Sequence, residues 1–115
     1  MKIVRNKVPI GQLEKMAEKF GGLVKAVVDI EKEIIVIDGE LHSDEERLLL
    51  EKGSDQKDLW GINIYPDRKG KYFIEFDSMI NLRPYMKNLS RSVDDPEIRQ
   101  KILRIINKLM DKKRQ

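Results

Sequence analysis

The chain has one histidine, His42, and it stands among Asp38, Glu40, Asp44 and Glu45. Carboxylates with one imidazole are a donor set for magnesium or manganese. Glu40, His42 and Asp44 would hold such an ion near Asp77 or Asp29, with His42, Asp44 and Asp77 as the catalytic candidates of a metal-assisted hydrolase or nuclease. Acids also crowd a helix start for the sake of its dipole alone. On that plainer reading the chain carries no metal and no cofactor.

A second constellation lies in Glu75-Phe76-Asp77-Ser78-Met79-Ile80-Asn81-Leu82-Arg83-Pro84, where acid, amide and guanidinium alternate with apolar residues. Arg83 could clamp a carboxylate or phosphate through two parallel N–H bonds, with Asn63 and Asn81 fixing its orientation. Lys87 and Arg91, in a loop without acids from Tyr85 to Val93, would add positive charge. These five residues are the candidate ligand-binding set. The competing reading pairs Arg83 with Asp77 or Glu97 and uses the amides on backbone groups.

Other chemistries are removed. Without cysteine there is no disulfide, thiolate metal site or thiol nucleophile, and with one histidine no site with several imidazoles fits within the chain. Ser43 and Ser78 lack the Gly-flanked elbow of a serine nucleophile, and the glycines are isolated rather than grouped in a phosphate loop. Tyr65, Tyr72 and Tyr85 are candidate stackers for nucleic-acid bases, which keeps a nucleic-acid partner open. Trp60 alternates onto an apolar face and reads as core.

The elements that would position these groups follow from periodicity. A short strand at Lys2 to Arg5 precedes a helix from about Gly11 to Phe20, where Leu13, Met16, Ala17 and Phe20 share one face and Gly21-Gly22 supplies the stop. Leu23 to Ile30 and Glu33 to Asp38 form a hairpin, with Val24, Ala26, Val28 and Ile30 on one side and Lys25, Val27 and Asp29 on the other. Ser43 and Glu46 make a capping box for a helix from Asp44 to Lys52 that ends at Gly53. Leu59 to Tyr65, Lys71 to Phe76 and Met79 to Arg83 read as a three-stranded meander. Pairing Pro66 with Lys71 puts Trp60, Ile62, Ile64, Phe73, Glu75, Ile80 and Leu82 on the core face. Asn63, Asn81 and Arg83 then share the opposite, mixed face, and Glu75 needs a cationic partner such as Arg91 or Arg99. Asp95 caps a last helix with Pro96 in its first position, and Ile98, Ile102, Ile105, Ile106 and Leu109 form its stripe opposite Lys101, Arg104, Lys108 and Lys112. Lys112 to Gln115 are expected to fray.

A length of 115 residues suits one domain, 1–115. Apolar residues at 40% offset the ordering cost that accompanies 37% charged residues. Asp38 to Glu51 holds six acids against Arg47, and Asp94 to Gln115 holds seven basic residues against four acids, so the +3 net charge is unevenly spread. No run approaches a membrane span and no export signal is read, so the expected location is the cytoplasm. Abundant Lys, Glu and Ile would suit a heat-loving source.

On Gly39-Glu40-Leu41-His42-Ser43-Asp44-Glu45, Asp58-Leu59-Trp60-Gly61-Ile62-Asn63, the segment from Glu75 to Pro84, and Asp95-Pro96-Glu97-Ile98-Arg99, the chain resembles a family of short uncharacterised prokaryotic proteins, a domain of unknown function. The resemblance runs nearly end to end and implies a small cytoplasmic protein, with no role for any residue. The expected fold is α+β: an antiparallel sheet of five or six strands with three helices, the C-terminal one on the sheet. The leading functional reading is a binding or regulatory module for an anionic ligand or a macromolecular partner. The alternative is the metal-assisted hydrolase. A homodimer through a strand edge or the last helix is a further expectation.

Overall fold

A computed structural model describes residues 1–111 of the chain. Its centre is the hairpin that the β-branched run dictates: β3, Val24–Asp29, and β4, Ile34–Ile37. Asp29 organises the turn between them. Its Oδ1 accepts from the N–H groups of Glu31 and Lys32 at 2.9 Å each, and its Oδ2 accepts from the Ser54 hydroxyl at 2.6 Å. That leaves Asp29 buried yet fully used, which takes it out of consideration as a metal ligand.

β1, Lys2–Val4, pairs outside β4; β5, Leu59–Ile64, pairs on the other side of β3; and the two-residue β6, Ile74–Glu75, pairs with β5. All four pairings are antiparallel. A separate parallel pair joins β2, Val8–Pro9, to β7, Met110–Asp111, and ties the two ends of the described chain together. Sequence patterning showed neither of these two-residue strands, since two residues carry no alternation.

Three helices cover the sheet on both sides. α1, Ile10–Ala17, and α3, Pro96–Leu109, pack Leu13, Ala17, Ile102, Ile105, Ile106 and Leu109 against Val24, Ala26, Val28, Trp60, Ile62 and Ile64. α2, His42–Glu51, lays Leu49 on the opposite face against Val27, Ile34, Val36 and Leu59, with Ile80 beside them. The α+β expectation holds, with the C-terminal helix on the sheet. Sandwiching explains why the central strands read as unbroken apolar runs rather than alternating ones: each residue has a covered face to enter. α3 begins as its sequence demands, with the Asp95 carboxylate accepting from Glu97 N–H at 2.9 Å and Pro96 in the first turn. Lys112 and the expected fraying of Lys112 to Gln115 lie outside the described residues.

Three local expectations are corrected. Residues 79–81 form a single 3-10 turn rather than a strand, because the Ser78 hydroxyl accepts from Ile80 N–H and curls the chain. The β5–β6 register is Ile64 with Ile74 and Asn63 with Glu75, one residue from the pairing predicted. Residues 70–72 take up a 3-10 turn that lengthens the connection, so Ile74 joins the core while Glu75 lies beside Asn63. The capping box also fails. Leu41 precedes α2 and no side chain caps it; Glu45 is drawn inward to accept from Gly39 N–H at 2.9 Å, and Glu46 turns to Arg83.

Candidate functional site

Where β6 stops, the outer edge of β5 still has backbone groups to satisfy, and the segment after β6 satisfies them with side chains. Asn81 behaves as a substitute strand: its Oδ1 accepts from Gly61 N–H at 2.8 Å and its Nδ2 donates to Gly61 O at 2.9 Å. Arg83 completes the edge. Its guanidinium donates to Leu59 O and to Ile80 O, meets Glu46 at 3.4 Å, and lies 4.9 Å from the centre of the Trp60 ring. Burial lowers the Arg83 pKa below its ordinary value, and Glu46 partly opposes this. The pairing with Asp77 or Glu97 that the sequence suggested is replaced by this one with Glu46. Both residues are thus consumed inside the protein. Lys87 sits in the tight turn that follows, in a left-handed conformation with φ 60°.

Gly61 makes this arrangement sterically accessible. A Cβ there would lie 2.6 Å from both Cβ and Oγ of Ser78, so only glycine lets the 78–81 turn lie flat on β5.

Beyond that turn, a cleft of about 270 Å³ opens between the start of α2 and the ends of β3 and β5. Lys25 and Asn63 are cross-strand partners in its floor. Asn63 is buried; its Nδ2 donates to Glu75 Oε1 at 2.8 Å and to Asp77 O at 3.3 Å, while its Oδ1 has no hydrogen-bond partner. Those donor contacts fix which end of the amide faces which way.

His42 forms the second wall. Its Nε2 lies 2.8 Å from Ile62 O; since a carbonyl only accepts, Nε2 carries the proton and Nδ1 is the ring's acceptor. Burial is the main cause that lowers the His42 pKa, and the cations Lys25 and Arg91 act in the same direction against the Ile62 hydrogen bond and Asp77. The imidazole is therefore neutral at pH 7. Asp77 and Arg91 form the third wall, with Arg91 Nε donating to Asp77 Oδ1 at 2.8 Å. Leu41 and Met79, both more than half exposed, stand at the rim as apolar groups.

The structure thus brings together His42, Asn63, Asp77 and Arg91 from two constellations that the sequence kept apart, and leaves Asn81, Arg83 and Lys87 outside them. Glu40, His42 and Asp44 do not converge: among the described residues no group of three His, Asp or Glu side chains is placed to hold a metal ion. Glu75 is exposed rather than in the core, accepting from Asn63 and, at 2.9 Å, from the Tyr65 hydroxyl. Tyr65 also stacks with Arg68, whereas Tyr72 and Tyr85 project from other loops, so the three tyrosines make no common platform.

Lys25, Leu41 and Met79 were not singled out as site residues. Lys25 did leave a signal, as the one cation in a strand whose other residues, Asp29 apart, are apolar.

No curated protein and no solved structure matches this chain. The model of one family does, over residues 2–109, described as a protein of unknown function (DUF5674).

Proposed function

This chain belongs to the DUF5674 family, a membership that assigns no chemistry, and from the cleft we propose a non-enzymatic binding module for a small ligand that carries an anionic group. The observation that carries the proposal is the pair of cations that line the cleft: Lys25, which forms no salt bridge among the described residues, and Arg91, which bonds Asp77 through Nε alone. The two supply attraction for a negative group in the cleft.

Binding is favoured over bond-breaking by how Ser78, one of the two serines that line the cleft beside Ser43, uses its hydroxyl. Ser78 Oγ accepts from Ile80 N–H within its own turn, which serves structure.

The test is calorimetric titration of the full chain with small carboxylates and with inorganic phosphate. At least one should bind, and the double variant Lys25→Met with Arg91→Met should weaken it about tenfold or more. Failure of every anion at millimolar concentration, or unchanged binding by the double variant, removes the proposal.

The reading extends to location and assembly. We place the protein in the cytoplasm, in keeping with its lack of cysteine, and no helix of the described residues is long and apolar enough to cross a membrane. We also propose that two copies pair along β1, which is hydrogen-bonded to β4 on one side and forms an edge of the sheet. Light scattering at twice the 13.5 kDa chain mass would support this, and a monomer mass would end it.

A further inference from the structure

We infer that the ligand of this cleft is a free α-amino acid with a small apolar side chain; the inference rests on the binding function proposed above. The cleft presents both signs of charge and an apolar rim within one small space. Its acceptors are the Asp77 carboxylate and the Nδ1 of a His42 whose other nitrogen is held by Ile62 O. An ammonium group, with three N–H donors, answers both.

Its cations are Lys25, which forms no salt bridge among the described residues, and Arg91, which reaches Asp77 through Nε and keeps its terminal nitrogens for another carboxylate. A ligand with only a negative group would face the charge of Asp77. One with only an ammonium would leave Lys25 unmatched. An α-amino acid carries both groups on one carbon and answers both walls together. Leu41 and Met79, exposed at 55% and 61%, give its side chain an apolar contact.

Size argues the same way. At about 270 Å³ the cleft lies below the range of roughly 300–1,000 Å³ that takes drug-sized ligands, which suits a molecule of leucine's size.

Four probes decide the matter on the full chain by calorimetry: L-leucine, N-acetyl-L-leucine, L-leucinamide and isocaproate, with inorganic phosphate as the plain anion. Leucine should bind, and removing either charge should weaken binding about tenfold or more, as expected for a lost charge-assisted contact. Asp77→Asn should weaken leucine and leave isocaproate equal or tighter, because it removes the partner of the ammonium and the repeller of the carboxylate together. Since Asp77 and Arg91 are both partly exposed, this variant should keep its fold, and circular dichroism would verify that it does. If isocaproate or N-acetyl-L-leucine binds as tightly as leucine, the amino-acid class is overturned while the anion-binding function stands. If phosphate or isocaproate binds and leucine does not, the outcome is the same. If none of the five binds, both fall.

Discussion

Arg83 brings its charge into the protein with 3% of the side chain exposed, and its contacts show why the position tolerates no simple replacement. The guanidinium is planar, with five N–H donors, and here it reaches two carbonyls, a carboxylate and an aromatic face at once. Arg83→Ala would leave Leu59 O and Ile80 O unpaired and Glu46 without its counter-charge, at a cost of about 2–4 kcal/mol. Arg83→Lys, with a single point of charge, should recover only part of it. Urea unfolding of the two variants measures this, and a loss below about 1 kcal/mol for alanine would contradict the bonding described. Glu45 poses the opposite problem. It is fully buried, its Oε1 has no partner, and burial raises its pKa from 4.5 to about 9, with the Gly39 N–H pulling the other way. Between those two values the unfolded chain has released the proton that the folded chain keeps, so stability falls as pH rises through this window and levels off above it. The slope is about 1.4 kcal/mol per pH unit at most. Glu45→Gln keeps an acceptor for Gly39 and removes the titration. Denaturation at pH 5, 7 and 9 should show a flatter profile for the variant and a gain on the order of 2–3 kcal/mol at pH 7. Parallel profiles would rule the assignment out.

Among the elements, two glycines with opposite surroundings give opposite expectations. At Gly61 a new Cβ meets Ser78 at 2.6 Å, so Gly61→Ala must push the 78–81 turn off β5 and should destabilise by about 1–3 kcal/mol. Gly11 lies in α1, is exposed, and has nothing within 4 Å of the same position. Gly11→Ala should therefore stabilise by about 0.5–1 kcal/mol through helix propensity and a less free unfolded chain. Thermal melts of both variants, moving in opposite directions, check the pair. The same comparison shows what the sequence could tell. α3 was legible because Asp95, Pro96 and a repeating isoleucine stripe are local signals that agree with the final packing. The start of α2 was not, since Ser43 and Glu46 fit a local capping rule while Glu46 had a stronger claim on it 37 residues away in Arg83. β6 went astray through a connection one residue longer than the tight turn assumed, and in a strand one residue exchanges the faces. For the candidate site, Asn63 and Arg91 stand out in the sequence by polarity, and the fold sets both in the lining of one cleft. The cleft itself was hidden, because it needs Lys25 of β3, His42 of α2 and Asp77 after β6, whose packing together no local pattern states.

At the scale of the whole molecule, the covered sheet sets where stability resides. β3 lies between β4 and β5, with α1 and α3 on one face and α2 on the other. Its residues Ala26, Val27 and Val28 are fully buried. No opening short of global unfolding frees their amides, because the strand cannot leave without separating both neighbours and uncovering both cores. By contrast β1 has one neighbour and three residues, and the 84–86 turn exposes Tyr85 at 72%, outside the Asn88 and Asp94 side-chain bonds that fasten residues 88–92. Native-state hydrogen exchange should therefore rank the amides of β3 that bond to β4 and β5 slowest, exchanging with the free energy of global unfolding, with the 84–86 turn and β1 opening at a fraction of it. If the proposed ligand occupies the cleft, added leucine should slow exchange in the first turn of α2, around Asp77 and in β3 together, because every opening that destroys the cleft, global unfolding included, must first release the ligand. Openings of β1 that leave the cleft intact should keep their rate. Exchange in β1 as slow as in β3, without ligand and at a concentration where the chain is a monomer, would mean that the two cores do not govern stability as argued. The same slowing seen only where the chain dimerises would instead support the edge pairing proposed for β1.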